Sequence, residues 1–214
     1  VGSKERTERL QQVYGASDQG SLEKAYDEWA EHYDEDLTAF GYKNPAVAAG
    51  LIGRHVAKEA SILDAGCGTG MLGEVLGWLG YDNLHGIDLS DGMLAQARTK
   101  GAYQELRKMA LGGKLDFPEN HFGAVISFGV LTAGHAPPES LDEMIRITRP
   151  GGHLIFSLSN LVYEPLKFKD KLEGLGIEGL WHELERTSFF PVMPGSGAEN
   201  HVESAVFVFQ KLAR

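Results

Sequence analysis

Three side chains stand where this sequence could do chemistry: Asp64, Asp88 and His135. Asp64 follows the apolar pair Ile62-Leu63 and leads into Gly66-Cys67-Gly68-Thr69-Gly70, with glycines at alternate positions. Such glycines let the backbone take positive φ and let a ligand approach where a Cβ would block it. Asp88 lies 20 residues after Gly68 and ends a second apolar run, the place of a carboxylate that accepts ribose hydroxyls. Two nucleotide carriers compete for a turn of this kind. Gly68 to Gly73 spells the G-x-G-x-x-G of dinucleotide sites, whereas from Gly66 the turn reads D-x-G-x-G-x-G. A carboxylate at the mouth repels a pyrophosphate, by about 4 kcal/mol per unit-charge pair at about 4 Å and an effective dielectric of about 20. The same carboxylate attracts an ammonium and a sulfonium, and S-adenosylmethionine (SAM) carries both. The sign of one charge therefore favours SAM over NAD.

The elements that must position these groups follow from periodicity. Leu72, Val75, Leu76 and Leu79 recur at helical spacing behind the glycine turn, giving strand, turn and helix. Strands are predicted at Leu84–Leu89, weakly within Tyr103–Leu111, at Gly123–Phe128 and at His153–Leu158. Helices alternate with them: Ser90 reads as an N-cap before Met93, Leu94 and Ala97, and Pro137-Pro138 opens a helix with Leu141, Met144 and Ile145 on one side. The alternation predicts a doubly wound parallel sheet whose ligand sits outside the carboxyl ends of the strands. The tail adds a basic-flecked helix or lid over 163–176, a strand near 180–188, a Pro/Gly-rich loop over 189–200 and a strand over 202–210. Upstream, Lys4 to Gly20 reads as an exposed helix or arm, and Asn44-Pro45 as N-cap and first residue of a helix. Tyr26, Trp29, Ala30, Tyr33 and Leu37 form an aromatic stripe at helical spacing, either core packing or a lid over the cofactor through Trp29 or Tyr33. The division expected is a helical arm and cap over 1–58 and an α/β core over 59–214.

Composition bounds the rest. With 214 residues the chain can bury one sizeable core. The net charge of −10, spread without a long basic run, argues against a dedicated nucleic-acid or anionic-membrane surface. One cysteine, Cys67, allows no internal disulfide and fits a reducing, cytoplasmic setting; amid the glycines it reads as a small packed side chain or a reactive thiol. No apolar run reaches membrane length and no secretory signal opens the chain. Val1-Gly2-Ser3, without methionine, reads as a truncated or altered start. The eight histidines form no H-x-x-x-H pair, so no metal site is expected.

LDAGCGTG, GIDLSDGMLAQAR, FPENHFGAVISFGVL and ITRPGGHLIFSLSN, in that order over about residues 22–160, resemble the motifs of class I SAM-dependent methyltransferases. With YDEWAEHYDEDL and GVLTAGH the chain is most similar to the small methyltransferase-like proteins related to the Williams–Beuren-region gene product. The resemblance implies a Rossmann-like, mostly parallel seven-stranded sheet with its last strand antiparallel, SAM above the first two strands, and S-adenosylhomocysteine (SAH) as product. Carried over, Asp64 holds the cofactor's amino group, Gly66, Gly68 and Gly70 line its methionine tail, and Asp88 takes the ribose. Leu89 and Met93 flank the adenine, and Ser127-Phe128-Gly129 lie beneath the methyl. The family's acidic residue after the third strand is missing: Lys108-Met109-Ala110-Leu111 stands there, so Met109 and Ala110 would hold adenine by packing and a backbone hydrogen bond.

Methyl transfer asks mainly for alignment, and a base only for a nucleophile with a tightly held proton. His135, after the fourth strand, is the candidate base; its alternative is a loop histidine in solvent or against Pro137. His182, Glu183 and Glu185 are weaker candidates. Phe128-Gly129-Val130-Leu131 replaces the Asn/Asp-Pro-Pro-aromatic motif of base-amino methyltransferases, so a small-molecule acceptor is expected and nucleic acid is not. Tyr163, Trp181 and Phe189 would wall the acceptor pocket or lie in the core. A SAM-binding protein without turnover, a protein-modifying enzyme, and an NAD-dependent oxidoreductase are the competing functions.

Overall fold

The computed structural model describes residues 2–132, 134–197 and 201–213. Residues 198–200 of the expected Pro/Gly loop lie outside the described residues. Helices α1 (Ser3–Tyr14), α2 (Gln19–Trp29), α3 (Tyr33–Phe40) and α4 (Asn44–His55) precede the sheet. The alternating core runs β1 (Ile62–Ala65), α5 (Met71–Trp78), β2 (Leu84–Asp88), α6 (Asp91–Lys100), β3 (Glu105–Lys108), β4 (Phe122–Ser127), α7 (Ser140–Ile147), β5 (Thr148–Ser159), α8 (Phe168–Ile177), β6 (Trp181–Arg186), β7 (Phe190–Pro191) and β8 (Glu203–Lys211).

The strand order is β3-β2-β1-β4-β5-β8-β6. β1 to β5 pair in parallel, and β8 runs antiparallel between β5 and β6. Seven strands form this path, as the resemblance implies; an eighth, the two-residue β7, pairs with β8. The order reverses between β1 and β4, so their carboxyl ends diverge into a crevice where a ligand can sit.

Alternate residues of each central strand feed opposite faces, because successive side chains point to opposite sides of a pleated strand. Leu63, Val125, Leu154, Phe156, Phe207 and Phe209 join the layer under α7 and α8. Ile62, Ala124, Ile126, Ile155, Val206 and Val208 join the layer under α4 and α5. Burial on both faces explains why these strands read as continuous apolar runs. β3 is only four residues long and at most half-buried, which explains its weak signal.

A third apolar cluster binds the N-terminal helices into a cap, with Leu10, Val13, Leu22, Trp29, Leu37 and Phe40 packed on Val192, Met193 and Val202. Asp36 lies at its centre, fully buried, accepting two hydrogen bonds from Arg9 (2.8 and 3.0 Å) and one from the Trp29 indole (2.8 Å). These partners outweigh its desolvation and hold its carboxyl below the usual range. The cap is latched to the core by polar contacts. Asp27 accepts from Ser90 Oγ and the Gly92 N–H, Asp34 accepts from Thr69 and Lys100, and Lys108 bridges Glu23 and Asp91.

The aromatic stripe differs from its reading as one helix. The chain breaks between α2 and α3 at residues 30–32, so Tyr26 and Tyr33 belong to different helices and meet edge to face at 6.4 Å. The N-cap of α4 also shifts: Lys43 takes it, and Asn44 sits on the first turn with its amide donating to the Tyr42 hydroxyl at 3.1 Å. Ser90 does cap α6, accepting from Met93 N–H at 3.0 Å.

Candidate active site

A cavity of about 560 Å³ opens at the carboxyl ends of β1, β2 and β4. Gly66 and Gly68 form its floor, with Asp88 and Leu89 beside them. Met93 of α6 and Met109-Ala110 beyond β3 make one wall; Phe128, Gly129 and His135 beyond β4 make the other. Tyr26 and Tyr33 reach in from the cap. The volume is that of small-ligand and cofactor sites, about 300–1,000 Å³.

The backbone that builds this floor needs glycine at two points for different reasons. At Gly66 φ is +86°, and an added Cβ would lie 2.2 Å from Val130 Cγ2. Left-handed strain and overpacking add, so Gly66→Ala is expected to destabilise the protein by about 2–4 kcal/mol. Thermal unfolding checks this; an unchanged midpoint would contradict the geometry. At Gly73, in α5, a Cβ would fall 2.3 Å from the Tyr103 hydroxyl. Its absence admits Tyr103, whose hydroxyl donates to Asp64 at 2.7 Å.

Asp88 is placed for a diol. Gly68 N–H donates to one of its oxygens (2.8 Å) and Ser90 N–H to the other (3.0 Å), which leaves acceptor capacity on both. Burial nevertheless raises its pKa, against these amide bonds. A smaller cavity of about 50 Å³ continues past Gly66 and Gly68 to Asp64, Tyr42, Asn44 and Thr69. Asn44 Oδ1 is buried there with no hydrogen-bond partner among the described residues. Burial pushes the Asp64 carboxyl up to about 7, against the Tyr103 hydrogen bond and with help from Asp88. A carboxylate uncomfortable without a counter-charge and an orphaned amide oxygen both ask for a cationic N–H donor. The residues present thus fit SAM: Asp64 and Asn44 would hold its ammonium, Asp88 its ribose, and Leu89, Met93, Met109 and Ala110 its adenine.

Asp64 also sets a pH dependence. Its folded pKa of about 7 lies above the usual carboxylate value of about 3.9, so its contribution to stability is full below that value and is lost as pH rises through about 7. A cationic ligand reverses this by favouring the ionised form. SAM affinity is therefore expected to rise about tenfold per unit up to about pH 7 and then level off. Titrations from acid to neutral pH check it; a flat profile in the native protein, or the same slope in Asp64→Asn, would contradict it.

Not every sequence-predicted residue lines the main cavity. Trp29 stands one layer behind, its indole on Asp36 and its ring 4.7 Å from Tyr33. Ser127 is buried and donates to Ala65 O at 2.8 Å, tying β4 to the end of β1. Gly70 is the left-handed N-cap of α5. Cys67 is buried, and desolvation pushes its thiol well up, as expected of a packed side chain. His135 faces the cavity between two hydroxyls, Tyr26 at 2.9 Å from Nε2 and Thr132 at 3.0 Å from Nδ1. His182 and Glu183 are exposed on β6, and Glu185 pairs with Arg54 and His55; none of the three lines this cavity.

A second cavity, of about 170 Å³, meets the first at Tyr26, Tyr33, Gly129 and His135. Leu161, Val162, Val192 and Met193 contribute to its lining. Of the aromatics expected either as acceptor walls or in the core, none lines this cavity. Trp181 is buried and stacks on Phe209 at 4.1 Å, while Tyr163 packs on Phe189 and Phe207. Sequence reasoning missed Tyr42, Asn44 and Tyr103, and gave Tyr26 no role beyond the aromatic stripe.

Comparison with known proteins agrees with this geometry. A family profile described as "Methyltransferase domain" matches residues 63–156. Methyltransferase-like protein 27 of Homo sapiens is 34% identical over 184 residues, spanning 82% of this chain and 74% of that protein. A TehB-like SAM-dependent methyltransferase of Corynebacterium glutamicum superposes with a TM-score of 0.63 at 22% identity, covering 88% of this chain and 99% of that one. A chain from the complex of the Haloferax volcanii Trm112 methyltransferase activator with its methyltransferase gives 0.66 at 18% identity, covering 88% and 98%. The chain belongs to the class I SAM-dependent methyltransferases. Its cofactor is S-adenosylmethionine, and no helix among the described residues is long and apolar enough to cross a membrane.

Proposed function

We propose that this methyltransferase moves the SAM methyl to a small molecule by in-line displacement, with His135 as the proton acceptor. The observation that carries this reading is the junction of the two cavities. Gly129 leaves a gap beside the cofactor cavity, and the second cavity begins there with His135 at its rim. A cofactor-binding protein without turnover has no use for a lined space at that point. The space, about 170 Å³ and lined mainly by apolar side chains, has the size of a small acceptor, which supports a small-molecule reading over a protein one.

In the proposed arrangement Asp88 holds the ribose, Asp64 and Asn44 the amino-acid end, and Met93, Met109 and Ala110 the adenine. SAM supplies an already activated methyl, so the chain's own work is alignment, exclusion of water and proton removal. Tyr26 links His135 Nε2 to the cavity and resists ionisation, because burial drives its pKa far up. It is suited to pass a proton on, not to keep the charge. The 1–58 segment acts as the cap and 59–214 as the catalytic core. The single cysteine and the lack of a spanning helix among the described residues support a cytoplasmic setting. The test is a panel of small acceptors with methyl-labelled SAM: label transfer with stoichiometric SAH release is expected, and label appearing only on protein would overturn the reading.

A further inference from the structure

The second cavity is lined mainly by apolar side chains. Leu10, Val13, Leu37, Val162, Val192 and Val202 form its aliphatic part, with the hydroxyls of Ser157, Ser159 and Ser204 as its neutral polar groups there. Its near end, where it meets the cofactor cavity, carries the hydroxyls of Tyr26 and Tyr33 and the His135 imidazole. Among the described residues lining it there is no Asp, Glu, Lys or Arg. A carboxylate, phosphate or ammonium taken inside would lose its hydration and meet no carboxylate, ammonium or guanidinium partner in that lining. The volume, about 170 Å³, has room for a single ring. Aliphatic cavities of about 150 Å³ hold one benzene ring.

Resting on the methyltransferase reading above, we infer that the acceptor is an uncharged single-ring molecule of the phenol class, methylated on oxygen. Its ring occupies the aliphatic part and its hydroxyl lies at the tyrosine–histidine end. That polarity puts the one nucleophilic atom at the mouth of the cofactor cavity. The hydroxyl oxygen forms the bond to the methyl carbon, and the carbon–sulfur bond breaks with its electron pair left on sulfur. The hydroxyl proton goes to the Tyr26 oxygen as the Tyr26 proton goes to His135 Nε2. The products are a methyl aryl ether, a neutral thioether and an imidazolium that loses its proton to water.

The experiment titrates neutral phenols (guaiacol, catechol) and charged counterparts of similar size (4-hydroxybenzoate, tyramine) into the SAH complex by calorimetry. The neutral phenols are expected to bind about a hundredfold tighter than either charged probe, as burial of an unpaired charge requires. Mass spectrometry with SAM should then show an aryl methyl ether. Val162→Phe, which fills the aliphatic part, should abolish phenol binding while SAH affinity stays native; that retained affinity shows the variant is folded. Equal or tighter binding of a charged probe, no binding of any neutral phenol, or phenol binding unaffected by Val162→Phe would overturn the inference and leave the cofactor assignment standing. Failure of SAH itself to bind would bring down the underlying reading and the inference with it.

Discussion

Asp88→Ala is expected to weaken SAH binding by about a hundred- to ten-thousandfold, the equivalent of two hydrogen bonds to a charged acceptor at about 1.5–3 kcal/mol each. The carboxylate is buried at the end of β2, one oxygen on Gly68 N–H and the other on Ser90 N–H, and both remain open to the cavity. Two vicinal hydroxyls can satisfy that remaining capacity at once. The substitution also frees the two amides, so thermal unfolding of the ligand-free variant must accompany the titration. Asp88→Asn supplies the control, keeping an acceptor and the shape while losing the charge; it should fall between the native protein and Asp88→Ala. Native SAH affinity in Asp88→Ala would remove this residue from the site.

His135→Ala should lower kcat by about a hundred- to ten-thousandfold, the usual contribution of a positioned general base. SAH affinity should fall far less than kcat, because the imidazole, though part of the cofactor-cavity wall, sits at its junction with the second cavity and not at Asp64 or Asp88. The two hydroxyls flanking its ring, Tyr26 on Nε2 and Thr132 on Nδ1, fix its orientation. Added imidazole should restore part of the rate in the variant. A variant that keeps native kcat would reduce His135 to a packing residue.

Much of the fold was legible because the central strands are buried on both faces. Continuous apolar runs such as Ala124-Val125-Ile126 mark such strands, and the glycine turn after Asp64 marks where the first of them meets a helix. The floor of the cavity was legible for a different reason: Gly66, Gly68 and Asp88 belong to a local pattern in which spacing implies position. The cap was not. Its aromatic stripe looked continuous, but the break at residues 30–32 turned Trp29 onto Asp36 and left Tyr26 and Tyr33 at the cavity. No periodicity reports a break that tertiary packing imposes. Tyr103 was invisible for a similar reason. It precedes β3 and reaches Asp64 across a gap that Gly73 leaves open, a contact between residues 39 apart. Asn44 resembled a helix cap, and only the fold sets its amide oxygen unpaired beside the cofactor crevice. Of the two places open to Tyr163 and Trp181, acceptor wall or core, the structure shows the core, because large aromatic side chains fill a packed layer as readily as they line a site. Trp181 and Tyr163 fill the layer between β8 and α8, while smaller aliphatic residues shape the space.

Underlying all of these assignments is a proposed match of charge: a crevice lined by the buried carboxylates Asp64 and Asp88 would hold a ligand with a cationic amino-acid end and reject one bearing phosphates. Parallel calorimetric titrations with SAM, SAH and NAD at neutral pH test it most directly. Saturable binding of the two adenosyl amino acids with no heat from NAD is the expected result. Uptake of NAD, with SAM and SAH ignored, would contradict it.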